Sequence, residues 1–257
     1  MQRTISTWRE FQDDWDGVLN FLMKGDELVP FRYTMPSIER IVETLRSDPD
    51  TRITPGVKGN ALNLTDIRAS FCALPIEEAV RASVALAHFK LNKFFGDGQL
   101  LEGFEEGVMR PWTDALQEAG FTWTRCYPIL FISGPGCATN YHLDFSQVIA
   151  WQTHGTKLFS GLQDPERWAP FETRLRSKGI SRPDGLTDAD ALTYAMPPGT
   201  VLWNTFLTPH WVEASDQIAC SINISHGGLR YKGKLCRHEQ EIIQWQLDHP
   251  EEARLLF

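Results

Sequence analysis

The sequence predicts a β-sandwich or barrel set between helical flanks, and three observations lead there. From Phe121 onward, short runs of β-formers recur at regular spacing, each bounded by turn residues. Before them, and again near the end, apolar residues fall at helical intervals. Regular β-α-β alternation is missing, and no Gly-rich phosphate loop follows a strand, which excludes a doubly wound parallel sheet. The expected plan is one mainly β domain: residues 1–120 largely helical, 121–228 the β core, and 229–257 a C-terminal helical segment.

Each element has its own signal. In "SIERIVETLRSD", Ile38, Ile41, Val42 and Leu45 share one helical face. "LPIEEAVRASVALAHFKLNKFF" predicts a second helix opened by Pro75, with Glu77 and Glu78 near its positive end. A third is expected over much of Leu100 to Ala119, stopped by Gly120 and broken at Pro111. "FTWTRCYPILFIS", "SQVIAWQT", "TKLFSGL", "GTVLWNTFL" and "QIACSINIS" read as strands. His154-Gly155, Pro198-Gly199 and Ser215-Asp216 are the turns between them. "PERWAPFETRLRSKG" reads as an inserted helix, and "GISRPDGLTDADALTYAMPPG" as a lid or surface loop. "CRHEQEIIQWQLDHPEEARLLF" predicts an amphipathic helix with Ile242, Ile243, Trp245 and Leu247 as its apolar residues, able to pack on the barrel or to form a homodimer.

Composition narrows the function. The chain has 257 residues, 42% of them hydrophobic, with net charge −8. The densest basic stretch, "RYKGKLCRH", is short and isolated, which argues against nucleic acid as the partner. No apolar run is long enough for a membrane span, and the N-terminus lacks the apolar core of a signal peptide. The five cysteines form no CxxC pair. Free thiols and a cytoplasmic location are the expectation.

The chemistry concentrates in "NYHLDF". In an extended strand, His142 and Asp144 share a face, with Leu143 pointing to the opposite layer. One imidazole and one carboxylate supply two ligands of a ferrous site. His210, in "FLTPHWVEA", is the candidate for the third, and His226, in "SHGG", is its rival. Two histidines and a carboxylate on one side of a metal leave positions open for a co-substrate and O2, as non-haem Fe(II) oxygenases require.

More residues extend the pattern. Thr139 precedes His142 in T-x-x-H-x-D, and Gln152, Gly155 and Lys157 form Q-x-x-G-x-K. Pro198-Gly199 opens the strand that leads to His210, and Asn223 follows one hairpin later. Here the sequence resembles the JmjC-type, cupin-fold 2-oxoglutarate oxygenases, over roughly Tyr127 to Ile224. The resemblance implies a double-stranded β-helix (jelly-roll) core, with His142, Asp144 and His210 as Fe(II) ligands. It implies that Lys157 and Thr139 bind the distal carboxylate of 2-oxoglutarate and that Asn223 helps to seat it. There are departures. Thr200 stands where the family often has Asp after Pro-Gly, Val148 stands where some relatives carry Asn, and the interval from His210 to Asn223 is shorter. Trp151 and Trp203 are read first as core residues and second as pocket walls.

The resulting expectation is an Fe(II)- and 2-oxoglutarate-dependent dioxygenase that hydroxylates or demethylates a small molecule, such as an amino acid or natural-product intermediate. A JmjC-type peptide or protein hydroxylase is the alternative. A metal-binding cupin without 2-oxoglutarate and a non-catalytic cupin-fold sensor are the further rivals.

Overall fold

A computed structural model describes residues 2–56, 64–176 and 181–256. In chain order the strands are β1 (Thr4–Ile5), β2 (Phe21–Met23), β3 (Arg52–Pro55), β4 (Val84–His88), β5 (Phe121–Thr122), β6 (Arg125–Ser133) and β7 (Gln147–His154). Then follow β8 (Lys157–Leu162), β9 (Ala191–Met196), β10 (Val201–Asn204), β11 (Trp211–Ala214), β12 (Ala219–Gly227), β13 (Arg230–Tyr231) and β14 (Lys234–Leu235). An eight-stranded sheet runs β1-β2-β10-β7-β12-β6-β4-β3, and a three-stranded sheet runs β11-β8-β9. Strands β14, β13 and β5 make a small third sheet. The two larger sheets line one cavity between them, the layout of a double-stranded β-helix.

The large sheet is built on β12, which pairs antiparallel with β6 on one side and β7 on the other. Its residues alternate between two environments. Ser221, Asn223 and Ser225 face the cavity, while Cys220, Ile222 and Ile224 join the main apolar core. Strand β6 does the same: Ile129 and Phe131 line the cavity, and Leu130 is fully buried in the core. Both faces are covered at the centre, which is why β7 carries an almost unbroken run of buried residues.

The outer core is aromatic. Phe11 packs edge-on against Trp203, Phe21, Phe121 and Trp112. Trp203 and Trp112 are fully buried, and each such side chain contributes about 3 kcal/mol through its burial. Trp112 also donates its indole N–H to His226 Nε2 at 2.7 Å, so the helix Arg110–Glu118 is tied to β12. Trp151 packs against Phe31 in the same core. Both tryptophans of the core strands are therefore packing residues, as their first reading had it.

The helix Ile38–Ser47 forms where expected, capped by the Ser37 hydroxyl, which accepts the Arg40 N–H, and burying Ile41, Val42 and Leu45. The second expected helix does not form as a whole. Ile76–Ala79 is α-helical and Leu91–Phe94 a 3-10 turn, and between them lies β4. Sheet pairing outweighs helix propensity there: β4 sits between β3 and β6, and Leu86 and His88 are buried. Among the described residues, four strands thus come from the first 120, so that region mixes strands with its helices.

The third helix starts as a π-helical segment, Glu105–Met109, and continues as Arg110–Glu118. Pro111 lies in the first turn of that α-helix and does not break it, because no N–H is needed there. The inserted helix is two short ones, Pro165–Trp168 and Phe171–Arg176; Ser177, Lys178 and Gly179 of the expected run lie outside the described residues. The expected loop before Pro198 is partly strand β9, with Tyr194 fully buried, and its Gly179 and Ile180 also lie outside the described residues. The C-terminal segment forms helices Arg237–Asp248 and Pro250–Leu256, and leaves Ile243 and Leu247 exposed. All five cysteines are free. Among the described residues, no helix is long and apolar enough to cross a membrane.

The β7–β8 turn constrains the sequence twice over, by backbone conformation and by space. Gly155 has φ +61°, and a Cβ there would stand 2.2 Å from the Ile218 carbonyl oxygen. Gly155→Ala is expected to cost about 2–4 kcal/mol through left-handed strain and steric overlap. Urea denaturation checks this; an unchanged midpoint would reject the account.

Candidate metal centre

The centre begins with backbone pairing. His142 and His210 form an isolated antiparallel bridge. Each N–H donates to the other's carbonyl, both at 2.9 Å. Such pairing brings side chains face to face, and the two ring centroids stand 4.1 Å apart. Leu207 N–H donates to the Asp144 carbonyl, which continues the contact between the two segments. His142 and Asp144 therefore sit in an irregular link between β6 and β7, not in a regular strand as expected. The shared face survives because the bridge, rather than a ladder, orients them.

The donor atoms of His142, Asp144 and His210 lie within 4.8 Å of one another. His210 Nε2 is 3.5 Å from Asp144 Oδ2, a gap that one ion about 2.1 Å from each can span. Both imidazoles are oriented from behind. His142 Nδ1–H donates to the Asn140 carbonyl at 2.6 Å, and His210 Nδ1–H to the Thr208 carbonyl at 2.9 Å. Each Nε2 is left as the ligand atom. Asn204 Nδ2 donates to Asp144 Oδ2 at 3.1 Å, which fixes the carboxylate. Phe159 stacks on the His210 ring at 5.1 Å with the planes 7° apart. Burial pushes His210 down to about 4, against the pull of Asp144, so the imidazole is neutral and able to ligate at neutral pH.

His226 is not the third ligand. It lies on the outer face of β12 and accepts the Trp112 indole N–H. A second convergent group, Asp48, Asp50 and His88, is an ion-pair cluster. Lys93 pairs with both aspartates and Lys90 with Asp50, so the carboxylates are already neutralised.

The remaining expected residues meet in the same cavity of about 540 Å³ as His142, Asp144 and His210. Lys157 opens β8 and is 4% exposed. Its Nζ donates to the Phe131 carbonyl at 3.2 Å and to Ser221 Oγ at 3.1 Å. Among the described residues no carboxylate pairs with it. Burial pushes its pKa down to about 8, because an ammonium ion loses hydration there and gains only neutral acceptors. Thr139 Oγ1 accepts the Val212 N–H at 2.8 Å, which leaves its own proton to donate. Asn223 lines the cavity with its buried Oδ1 unpartnered.

The Q-x-x-G-x-K run has a structural cause. Gln152 Nε2 donates to the carbonyls of His154 and Gly155, at 2.7 and 3.1 Å, and so staples the turn that delivers Lys157 to the cavity. Sequence reasoning missed Asn204, Ser221 and Phe159. Period-two alternation through "SINIS" would have found Ser221 beside Asn223. Nothing local marks Asn204, which meets Asp144 only through tertiary packing.

This architecture can hold a divalent ion on one side and leave the other side open. It can also hold a dicarboxylate, since a buried cation with no counter-charge among the described residues faces the same space.

No protein-family model matches the chain, and no curated protein matches it. Among solved structures it is similar to YcfD, a ribosomal oxygenase from Escherichia coli. One YcfD structure is 14% identical, covers 99% of this chain and 58% of that chain, and has a TM-score of 0.55. A complex of YcfD with cobalt and 2-oxoglutarate is 14% identical, covers 97% and 58%, and has a TM-score of 0.54. A complex with cobalt and succinic acid is 12% identical, covers 100% and 70%, and has a TM-score of 0.56. This chain therefore spans 58% of the length of the first two. It shares with them the cupin-type double-stranded β-helix fold.

Proposed function

We propose that the chain is an Fe(II)- and 2-oxoglutarate-dependent oxygenase. The observation that carries this reading is the placement of the His142–Asp144–His210 donors in one cavity with an unpaired, buried Lys157. The likeness to YcfD structures that hold cobalt with 2-oxoglutarate or succinate supports it.

In this reading His142, Asp144 and His210 hold the iron, and their number leaves its other positions free. Lys157, with Thr139 beside the same cavity, receives the distal carboxylate of the co-substrate. Asn223 helps to seat it. Ser221 and the Phe131 carbonyl keep the Lys157 ammonium aimed inward. Asn204 keeps Asp144 from rotating away. Ile129, Val148, Ala150 and Met196 give the chamber apolar walls that exclude water. Iron with 2-oxoglutarate and O2 supplies, when bound, the oxidation of a substrate C–H, coupled to conversion of 2-oxoglutarate to succinate and CO2. The product is an alcohol, or a demethylated amine where the carbon is borne on nitrogen.

A peptide or protein is the first substrate class, because the structural neighbours are ribosomal oxygenases. A small molecule, the class that sequence alone favoured, is the second reading, and the cavity of about 540 Å³ is of the size that takes one.

Anaerobic titration with Fe(II) and then 2-oxoglutarate tests the assignment. A weak visible charge-transfer band of the chelate is the expected result. Iron binding without that band points to a cupin that does not use 2-oxoglutarate, and absence of iron affinity points to a non-catalytic protein. His142→Ala, Asp144→Ala and His210→Ala are each expected to abolish the band while circular dichroism stays native. A variant that keeps full turnover rejects that ligand.

Lys157→Ala is expected to weaken 2-oxoglutarate binding on the order of 10- to 100-fold, the worth of a hydrogen-bonded charge. The pH dependence follows from the depressed pKa. Below about 8 the amine carries its proton and pairs with the dicarboxylate; above it the neutral amine does not. The dissociation constant is expected to rise about tenfold per pH unit beyond that point. A flat profile between neutrality and mild alkali would remove Lys157 from this role.

A further inference from the structure

We propose that the primary substrate carries a carboxylate and that Arg52 receives it; this rests on the oxygenase reading and names its substrate chemistry. The argument begins with the charges of the cavity wall. Among the described lining residues, the side chains that carry a formal charge at neutral pH are Asp144, Lys157 and Arg52. A divalent ion, the Asp144 carboxylate, a dicarboxylate co-substrate and the Lys157 ammonium cancel one another in formal charge. The Arg52 guanidinium is left over. Among the described residues it has no ion-pair partner. An uncompensated cation in a concave wall raises the local concentration of anions even in a chain of net charge −8.

Geometry supports a reading role. Arg52 opens β3, the edge strand of the large sheet, so its backbone is held by pairing rather than by a loop. Its guanidinium lies over the Phe89 ring, 4.5 Å from the centroid. A cation over an aromatic face is held there by the ring quadrupole, and the Arg52 N–H groups are left to donate to a carboxylate. Phe89 in turn meets Phe131 edge-on at 5.9 Å.

The floor between these groups is low. Arg52 is opposite Ala87, and Thr54 is opposite Ala85, on β4. Ala87 is opposite Phe131, whose carbonyl holds Lys157. A shallow trough therefore leads from Arg52 over Ala85 and Ala87, with Phe131 next on the same face before the chamber. A molecule anchored at Arg52 lies along this trough with its far end toward the metal centre.

Isothermal titration of the full chain tests this with two pairs of probes. One pair is N-acetylphenylalanine and its amide. The other is a capped phenylalanine–aspartate dipeptide and its asparagine counterpart. Each acid is expected to bind at least about tenfold more tightly than its neutral twin, the worth of one charge-assisted pair. Arg52→Met is expected to erase the preference, and Arg52→Lys to retain part of it. The tighter of the two acids tells a free acid from a peptide side chain as the source of the carboxylate.

Several results would overturn the proposal: equal binding of acid and amide, no binding of either acid at millimolar concentration, or a preference that survives Arg52→Met and vanishes in Lys157→Met. Loss of 2-oxoglutarate affinity in Arg52→Met would make Arg52 a co-substrate anchor and overturn it too. An intact chelate band without acid preference sinks the Arg52 assignment alone. Acid preference without the band sinks the oxygenase reading alone.

Discussion

Two backbone hydrogen bonds hold the centre together, one in each direction between His142 and His210. They join two links that are far apart in the chain, one between β6 and β7 and the other between β10 and β11. Neither segment forms a ladder at that point. The link is an isolated bridge, so the side chains are placed by one pair of residues rather than by averaging over a strand. Everything chemical in the cavity is arranged around that point. Asp144 follows two residues after His142, Asn204 reaches Asp144 from β10, and Phe159 covers the outer face of His210.

The second constraint is electrostatic. Lys157 sits where an ammonium ion has almost no water and only two neutral acceptors. Burial of that kind is unfavourable on its own, and it is tolerable when a ligand completes the pair. The fold tolerates it because the Gln152 staple and the Gly155 turn leave the chain no easy alternative path from β7 to β8. Stability and ligand affinity thus draw on the same few residues.

Much of this was legible in the sequence, and the reasons are local. T-x-x-H-x-D and Q-x-x-G-x-K are short runs whose spacing is set by covalent geometry and a tight turn, so their meaning survives without tertiary knowledge. The strands from β6 to β8, β10 and β12 announced themselves by β-formers between turn residues. What failed was long-range. "SVALAH" has residues that suit a helix, and only the neighbouring strands β3 and β6 make it β4. The same pairing puts Arg52 on the cavity wall, a position no local pattern indicates. His142 and Asp144 shared a face as expected, although the expected strand around them is absent.

The indole of Trp112 and the ring of His226 anchor the outer side of β12, while Asn223 and Ser225 occupy its inner side. Because successive residues point to opposite sides, the two sides differ completely in polarity. Sliding this strand by a single position would exchange them, placing imidazole and isoleucine on the cavity side and amide and hydroxyl groups among tryptophans. The aromatic layer behind the barrel is therefore also the index mark that keeps the polar lining of the cavity in phase.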